Sequence, residues 1–179
     1  MAKGAIAFIY GLVCYAIFFA VFLYSVAFVE GLWVPRTIDS GPAAPFAAAL
    51  AIDLVLLGVF AVQHSVMARP AFKRWWTKMI PPSVERSTFV LASSLALALL
   101  FWQWRPMTGT VWSVQYPAAS DILWTVSGLG WLTVLLGTFM ISHTHLFGLY
   151  QVWNRMTGKE APEPKFQTRM LYGRVRHPL

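Results

Sequence analysis

Residues 5–29 read AIAFIYGLVCYAIFFAVFLYSVAFV, twenty-five positions without one charged side chain. A helix that crosses the ~30 Å hydrocarbon core of a bilayer needs about 20 such residues. The run is also far longer than the ~7–15 residues of a cleaved signal peptide's apolar region. Behind Lys3 it reads as an uncleaved first transmembrane helix. Cys14, inside this run, is the only cysteine, so neither an intrachain disulfide nor a cysteine-based metal site can form. The preceding Gly11-Leu12-Val13 lacks the small residues of a lipoprotein cleavage site. The rest of the 179-residue chain matches this beginning. It is 58% hydrophobic and 16% aromatic, with only 12% charged residues and a mean hydropathy of +0.58. Soluble domains carry about twice that share of charge. A disordered chain, a fibrous repeat and an ordinary soluble enzyme are thereby excluded.

Three further apolar runs follow, at about 43–63, 87–104 and 122–141, the second interrupted only by Asp53. Charge, Pro or Gly bounds each of them, as at Glu30-Gly31, Arg69-Pro70 and Arg105-Pro106. In lipid the backbone must satisfy its own hydrogen bonds, so the runs are helices. The expected fold is all-α: a multi-pass integral membrane helical bundle. Residues 1–141 form a four-span transmembrane region, and residues 142–179 form a cytoplasmic interfacial helical tail.

The basic residues orient it. Lys3 precedes the first run; Arg69, Lys73, Arg74, Lys78 and Arg86 lie between the second and third; the last six, Arg155 to Arg176, follow the fourth. The alternate side holds only Arg36 and Arg105. Positive charge stays inside, which puts both ends of this chain in the cytoplasm. The formal charge of +7 thus marks topology and attraction to anionic lipid, not nucleic-acid binding. The tryptophans form the matching belt: Trp33, Trp102, Trp104, Trp112 and Trp124 at the outer interface, Trp75, Trp76 and Trp153 at the inner one. Trp131 falls within the fourth run and reads as packing.

Beyond the fourth run, Leu146, Leu149, Tyr150 and Trp153 recur at helical spacing, as an extension of that span or as a helix in the interface. Thr157-Gly158 and Pro162-Glu163-Pro164 interrupt the chain, and a basic stretch from Lys165 leads into Arg176-His177-Pro178-Leu179. Pro favours the first position of a helix. Pro178 therefore reads as the opening of an element that would continue past Leu179, and the chain as a fragment.

Few side chains could carry chemistry. Asp53 lies near the middle of the second run, where a charge costs on the order of 2.5–3.5 kcal/mol. It is either a substrate or proton site, or a structural carboxyl hydrogen-bonded to Ser93, Ser94, Thr133 or Thr138 of another span. His64 and His143 are general-base candidates at the cytoplasmic interface, where a side chain titrating near neutrality could take a proton. His143-x-His145 points two ways on a helix, and with no cysteine or nearby carboxylate no metal site is expected. There is no G-x-S-x-G motif and no phosphate-binding Gly-rich loop. The catalytic residues are not identified by these patterns.

Tyr172-Gly173-Arg174-Val175-Arg176-His177-Pro178-Leu179 resembles the Arg-His-Pro signature of the isoprenylcysteine carboxyl methyltransferase superfamily. Gln63-His64-Ser65-Val66-Met67-Ala68-Arg69-Pro70 and Pro82-Ser83-Val84-Glu85-Arg86-Ser87 are similar to its NnrU-like branch. So are Leu100-Phe101-Trp102-Gln103-Trp104-Arg105-Pro106, Leu146-Phe147-Gly148-Leu149 and Gln151-Val152-Trp153. Within that branch the chain looks most like the membrane thiol methyltransferases that turn methanethiol into dimethyl sulfide. The resemblance covers most of residues 60–179. It implies S-adenosylmethionine as methyl donor, a small thiol as acceptor, and a cofactor-binding role for Arg176, His177, Pro178 and Leu179. In the family, further helices after this motif complete the pocket. Two alternatives stay open: a related methyltransferase with a prenyl or lipidic acceptor, and a non-enzymatic NnrU-like membrane protein linked to nitrogen-oxide metabolism. The resemblance leaves the oligomeric state open.

Overall fold

The structure, a computed structural model, describes residues 2–160. The expected cofactor residues Arg176, His177, Pro178 and Leu179 lie outside the described residues, as does the basic stretch from Lys165. The described residues form seven helices: α1 (Ala2–Glu30), α2 (Phe46–Ala68), α3 (Pro70–Trp76), α4 (Pro82–Gln103), α5 (Pro117–Ile141), α6 (His143–Leu146) and α7 (Leu149–Thr157). Among the described residues there is no strand beyond an isolated bridge between Thr37 and Ser40. Among the described residues four helices, α1, α2, α4 and α5, are long and apolar enough to cross a membrane, as expected.

The helices do not start where the apolar runs start. Pro82 and Pro117 occupy the first turns of α4 and α5, so each begins five residues before its apolar run. Proline at this position lacks only an N–H that would have no intrahelical partner anyway. α2 starts later than its run, because Pro45 stands at its N-cap and holds Ala43 and Ala44 outside. Hydropathy marks the bilayer, whereas backbone hydrogen bonding marks the helix. The segment after the fourth span is not an extension of it. α5 stops at Ser142, whose φ is 137°, and α7 is a separate helix.

The described residues fall into two compact units. In the first, residues 2–108 with 147–160, α4 lies between α1 and α2. It runs parallel to α1: the Tyr10 hydroxyl meets Thr88 Oγ1 at 3.0 Å near one end, and the Phe28 and Phe101 rings lie 4.8 Å apart near the other. It is antiparallel to α2, with His64 beside Phe89 and Leu56 clustered with Leu100 and Phe101. One end of this unit gathers Lys3, Arg69, Lys73, Arg74, Lys78 and Arg155 and is called the basic end below. α7 docks there against α1 and α4.

The opposite, far end is tied by polar contacts from the segment between α1 and α2. Ile38 donates its N–H to Phe28 O at 2.9 Å and accepts the Trp104 indole N–H at 2.9 Å. Tyr24 donates its hydroxyl to Arg36 O at 3.2 Å. Trp104 also presents its ring edge-on to Phe28, so this tryptophan joins elements as well as sitting at an interface. The core beneath is Phe28, Leu56, Leu100 and Phe101.

Asp53 belongs to this end. It lies seven residues into α2, about 10 Å from the helix start. Its partner is none of the four hydroxyls expected. Ser94 donates to Val90 O and Thr133 to Leu129 O. Thr138 bonds Leu135 O and His143, and Ser93 meets His64. Instead, Asp53 Oδ1 accepts the backbone N–H of Arg105 at 2.9 Å, just past the end of α4. A residue beyond a helix end has no ladder partner for its N–H, and a buried carboxyl supplies one. Asp53 is 2% exposed.

The second unit contains α5 and α6. Thr125 and Thr133 return their hydroxyl hydrogens to carbonyls one turn back, at 2.7 Å each, so α5 carries them at little cost in lipid.

Replacing Asp53 tests the tether. Asp53→Asn keeps an acceptor for the Arg105 N–H and is expected to retain near-parental thermal stability in detergent. Asp53→Leu orphans that N–H and is expected to lose about 1–3 kcal/mol. Equal loss in both variants would show that the carboxylate charge, not the hydrogen bond, matters.

Candidate functional site at the basic end

His64 lies four residues before the end of α2, at interfacial depth. Its ring sits 5.5 Å from Phe60 of its own helix and 5.0 Å from Phe89 of α4. Its Nδ1 is 3.3 Å from Ser93 Oγ. One ring nitrogen is thus engaged by a neighbouring helix; in the tautomer where Nδ1–H donates to Ser93 Oγ, Nε2 carries the free lone pair. Arg86 places its guanidinium 5.1 Å over the other partner, the Phe89 ring. The arrangement holds a cation and an imidazole on one aromatic residue at the α2–α4 seam.

The α4 residue Ser87 leads to the second part of the site. It is fully buried, and its Oγ has no hydrogen-bond partner among the described residues. Gly148, at the N-cap of α7, lies against it with φ of 85°. A Cβ at Gly148 would come within 2.7 Å of the Ser87 backbone nitrogen. Left-handed backbone and close approach together require glycine here. On the facing side, Gly4, Ala7, Gly11 and Cys14 form a buried stripe of small residues along α1. A Cβ at Gly11 would meet Val152 Cγ2 at 2.6 Å, and one at Gly4 would meet the Met156 backbone at 2.9 Å. Val152 is completely buried. Asn154, also buried, accepts the Gly158 and Lys159 N–H groups at its carbonyl to end α7. α7 is thereby wedged onto α1 and α4, and it delivers the chain to the residues that follow 160.

The sequence reading missed this clamp. Its signals were present: small residues at positions 4, 7, 11 and 14 share one helical face, and Gly148 precedes a new helix. Ser93 was read as a partner for Asp53, whereas it serves His64.

His143 stands in the second unit. Thr138 Oγ1 donates its hydrogen to Leu135 O, so His143 Nδ1 must be the donor in its 2.8 Å contact with Thr138 Oγ1. The ring stacks on Phe139 at 4.2 Å. Burial lowers the pKa of His143 and of His145 below the ordinary imidazole value. Burial thus favours the neutral form of both. Among the described residues no three His, Cys, Asp or Glu side chains converge on a metal position.

Two outcomes follow from this geometry. Gly148→Ala is expected to cost at least about 1 kcal/mol from the left-handed backbone alone. It should shift α7, seen as faster hydrogen exchange at residues 149–157 with α1 and α4 still inserted. For the histidines, a folded pKa below that of the unfolded chain means the unfolded state binds more protons. Stability should therefore fall as pH drops below about 6.5, and the drop should shrink in His143→Asn when the thermal midpoint is followed against pH.

No family model matches the sequence, and no solved structure does. Curated relatives do. The chain is 53% identical to the methanethiol S-methyltransferase of Mycobacterium tuberculosis over 177 residues, 99% of this chain and 72% of that protein. It is 52% identical to methanethiol S-methyltransferase 1 of Bradyrhizobium diazoefficiens over 174 residues, 97% of this chain and 61% of that protein. More distantly, it is 32% identical to mouse Nurim over 143 residues, 74% of this chain and 53% of that protein. The matched length takes in the α2–α4 seam and the α7 clamp, and on that identity the chain belongs to the methanethiol S-methyltransferase family.

Proposed function

We propose that this protein transfers a methyl group from S-adenosylmethionine to methanethiol, forming dimethyl sulfide, at the cytoplasmic face of a bacterial plasma membrane. The observation that carries this reading is 53% identity along nearly the whole chain to a protein named for that reaction. The orientation rests on the basic end, where Lys3, Arg69, Lys73, Arg74, Lys78 and Arg155 would face the cytoplasm. A soluble charged donor then reaches the site from the side to which α7 leads, while a small apolar thiol arrives through lipid.

The donor supplies an electrophilic methyl on a sulfonium. In the transfer the thiol sulfur gains a bond to that methyl, the sulfonium carbon–sulfur bond breaks, and the thiol proton leaves. The thiolate is the nucleophile, so removal of this proton sets the concentration of reactive acceptor. We assign the proton to His64 Nε2. The contact with Ser93 and the aromatic rings of Phe60 and Phe89 hold this ring between two helices. A ring held in one orientation favours a near-attack geometry. His143 is anchored within its own segment, to Thr138 and Phe139, and is assigned no proton. Arg176, His177, Pro178 and Leu179 are proposed to bind the donor, with Arg176 meeting its carboxylate.

The test is dimethyl sulfide in the headspace of membranes bearing the protein, given methanethiol and methyl-labelled S-adenosylmethionine. Labelled product is the expected result, and its absence from correctly inserted protein would overturn the reading. His64→Ala is expected to lower kcat about 100-fold or more. The loss should diminish at high pH, where the thiol ionises without help. A parallel loss at all pH values would give His64 a structural role instead.

A further inference from the structure

At the far end of the first unit, away from the proposed chemistry, a cavity of about 370 Å³ opens between α1 and α4. Its walls include Ala20 and Ala98, with Phe101 and Trp102 beside them. Two alanines on adjacent helices leave a groove where larger side chains would have met. At its mouth sit Tyr24 and Arg36. The backbone of Arg36 is held by the Tyr24 hydroxyl at 3.2 Å, and the Tyr24 ring stacks on Phe101 at 5.2 Å. Arg36 is half-buried, and its guanidinium makes no ion pair among the described residues.

Depth identifies the occupant. Ala20 lies ten residues before the end of α1 at Glu30, about 15 Å down the helix. That is half of the ~30 Å hydrocarbon core, the reach of one leaflet. A half-buried cation at the interface, above an apolar groove one leaflet deep, complements an amphiphile with an anionic head and an alkyl tail. We propose that this groove binds a membrane phospholipid, its phosphate on Arg36 and one acyl chain along Ala20, Ala98 and Trp102. Guanidinium suits phosphate because its planar donors can bond two oxygens at once. Trp102 and Tyr24 fit the same place, since amphipathic rings favour the headgroup boundary. The site would let the surrounding leaflet brace the seam between α1 and α4.

The experiment is native mass spectrometry of the chain released from phosphatidylglycerol nanodiscs, counting bound lipid as collision energy rises. The parent is expected to retain one lipid. Arg36→Gln should weaken retention roughly tenfold, the loss of one charge-assisted hydrogen bond. Ala98→Phe should abolish it by filling the groove, and Lys159→Gln, at the basic end, should change nothing. Unchanged retention in Arg36→Gln or in Ala98→Phe would overturn the proposal. So would a dimer in the parent that Ala98→Phe disrupts, because the occupant would then be a second copy. Should Ala98→Phe not fold, acyl-brominated phosphatidylglycerol provides an independent reading on unaltered backbone. It should quench Trp102, and Trp102→Phe should remove that share of quenching. The same fractional quenching in both proteins would place no acyl chain in the groove.

Discussion

Lipid offers no hydrogen bonds, and this constraint shapes the molecule from end to end. A polar group that enters the apolar helices is costly unless it finds a partner within the protein. Hydroxyls do so locally: Ser25, Thr88, Ser94, Thr125 and Thr133 each donate to a carbonyl one turn back. Asp53 does so at long range, by accepting the N–H that Arg105 cannot place in a helix. The same need explains the far end. Ile38 and Arg36 spend their backbone groups on Phe28, Trp104 and Tyr24, so the segment after α1 closes over the helix ends.

The basic end is built on a different economy, that of close approach. α7 buries Val152 and Asn154 and leaves Trp153, Arg155 and Thr157 exposed. It reaches α1 because Gly4 and Gly11 have no side chains, and α4 because Gly148 has none. Small residues at a helix interface let backbones approach, and dispersion between many atoms then holds them. The consequence for chemistry is positional. α7 is fixed at the same end of the first unit as Arg86, Phe89 and Ser93, which frame His64 from another face of α4.

The two ends suit separate tasks. The end with His64, Arg86 and α7 collects cations and the proposed proton acceptor. Among the described residues the far end of the first unit carries Arg36 and Arg105 as cations, one at the mouth of an apolar groove and the other bonding Gln103 and presenting its N–H to Asp53. A methyl-transfer site needs a fixed seam between α2 and α4. The tether from Asp53 and the core of Phe28, Leu56, Leu100 and Phe101 hold that seam from the opposite side.

The existence, number and type of the spanning helices followed from sequence alone, because a bilayer imposes length and apolarity locally and residues 5–29 meet both without help from any neighbour. The same local rule made His64 and Asp53 visible, since a polar side chain near or within an apolar run carries a cost that needs a reason. What each of them touches was a tertiary decision. Asp53 took a backbone N–H fifty-two positions away instead of a hydroxyl, and His64 took Ser93, one of the four hydroxyls that sequence offers as candidates for Asp53. Helical rotation decides which of several polar residues at one depth come face to face, and rotation is set by packing across α1, α2 and α4. The stripe of Gly4, Ala7, Gly11 and Cys14 could be read as one face, but not which helix would use it, because α7 joins it from well over a hundred residues away.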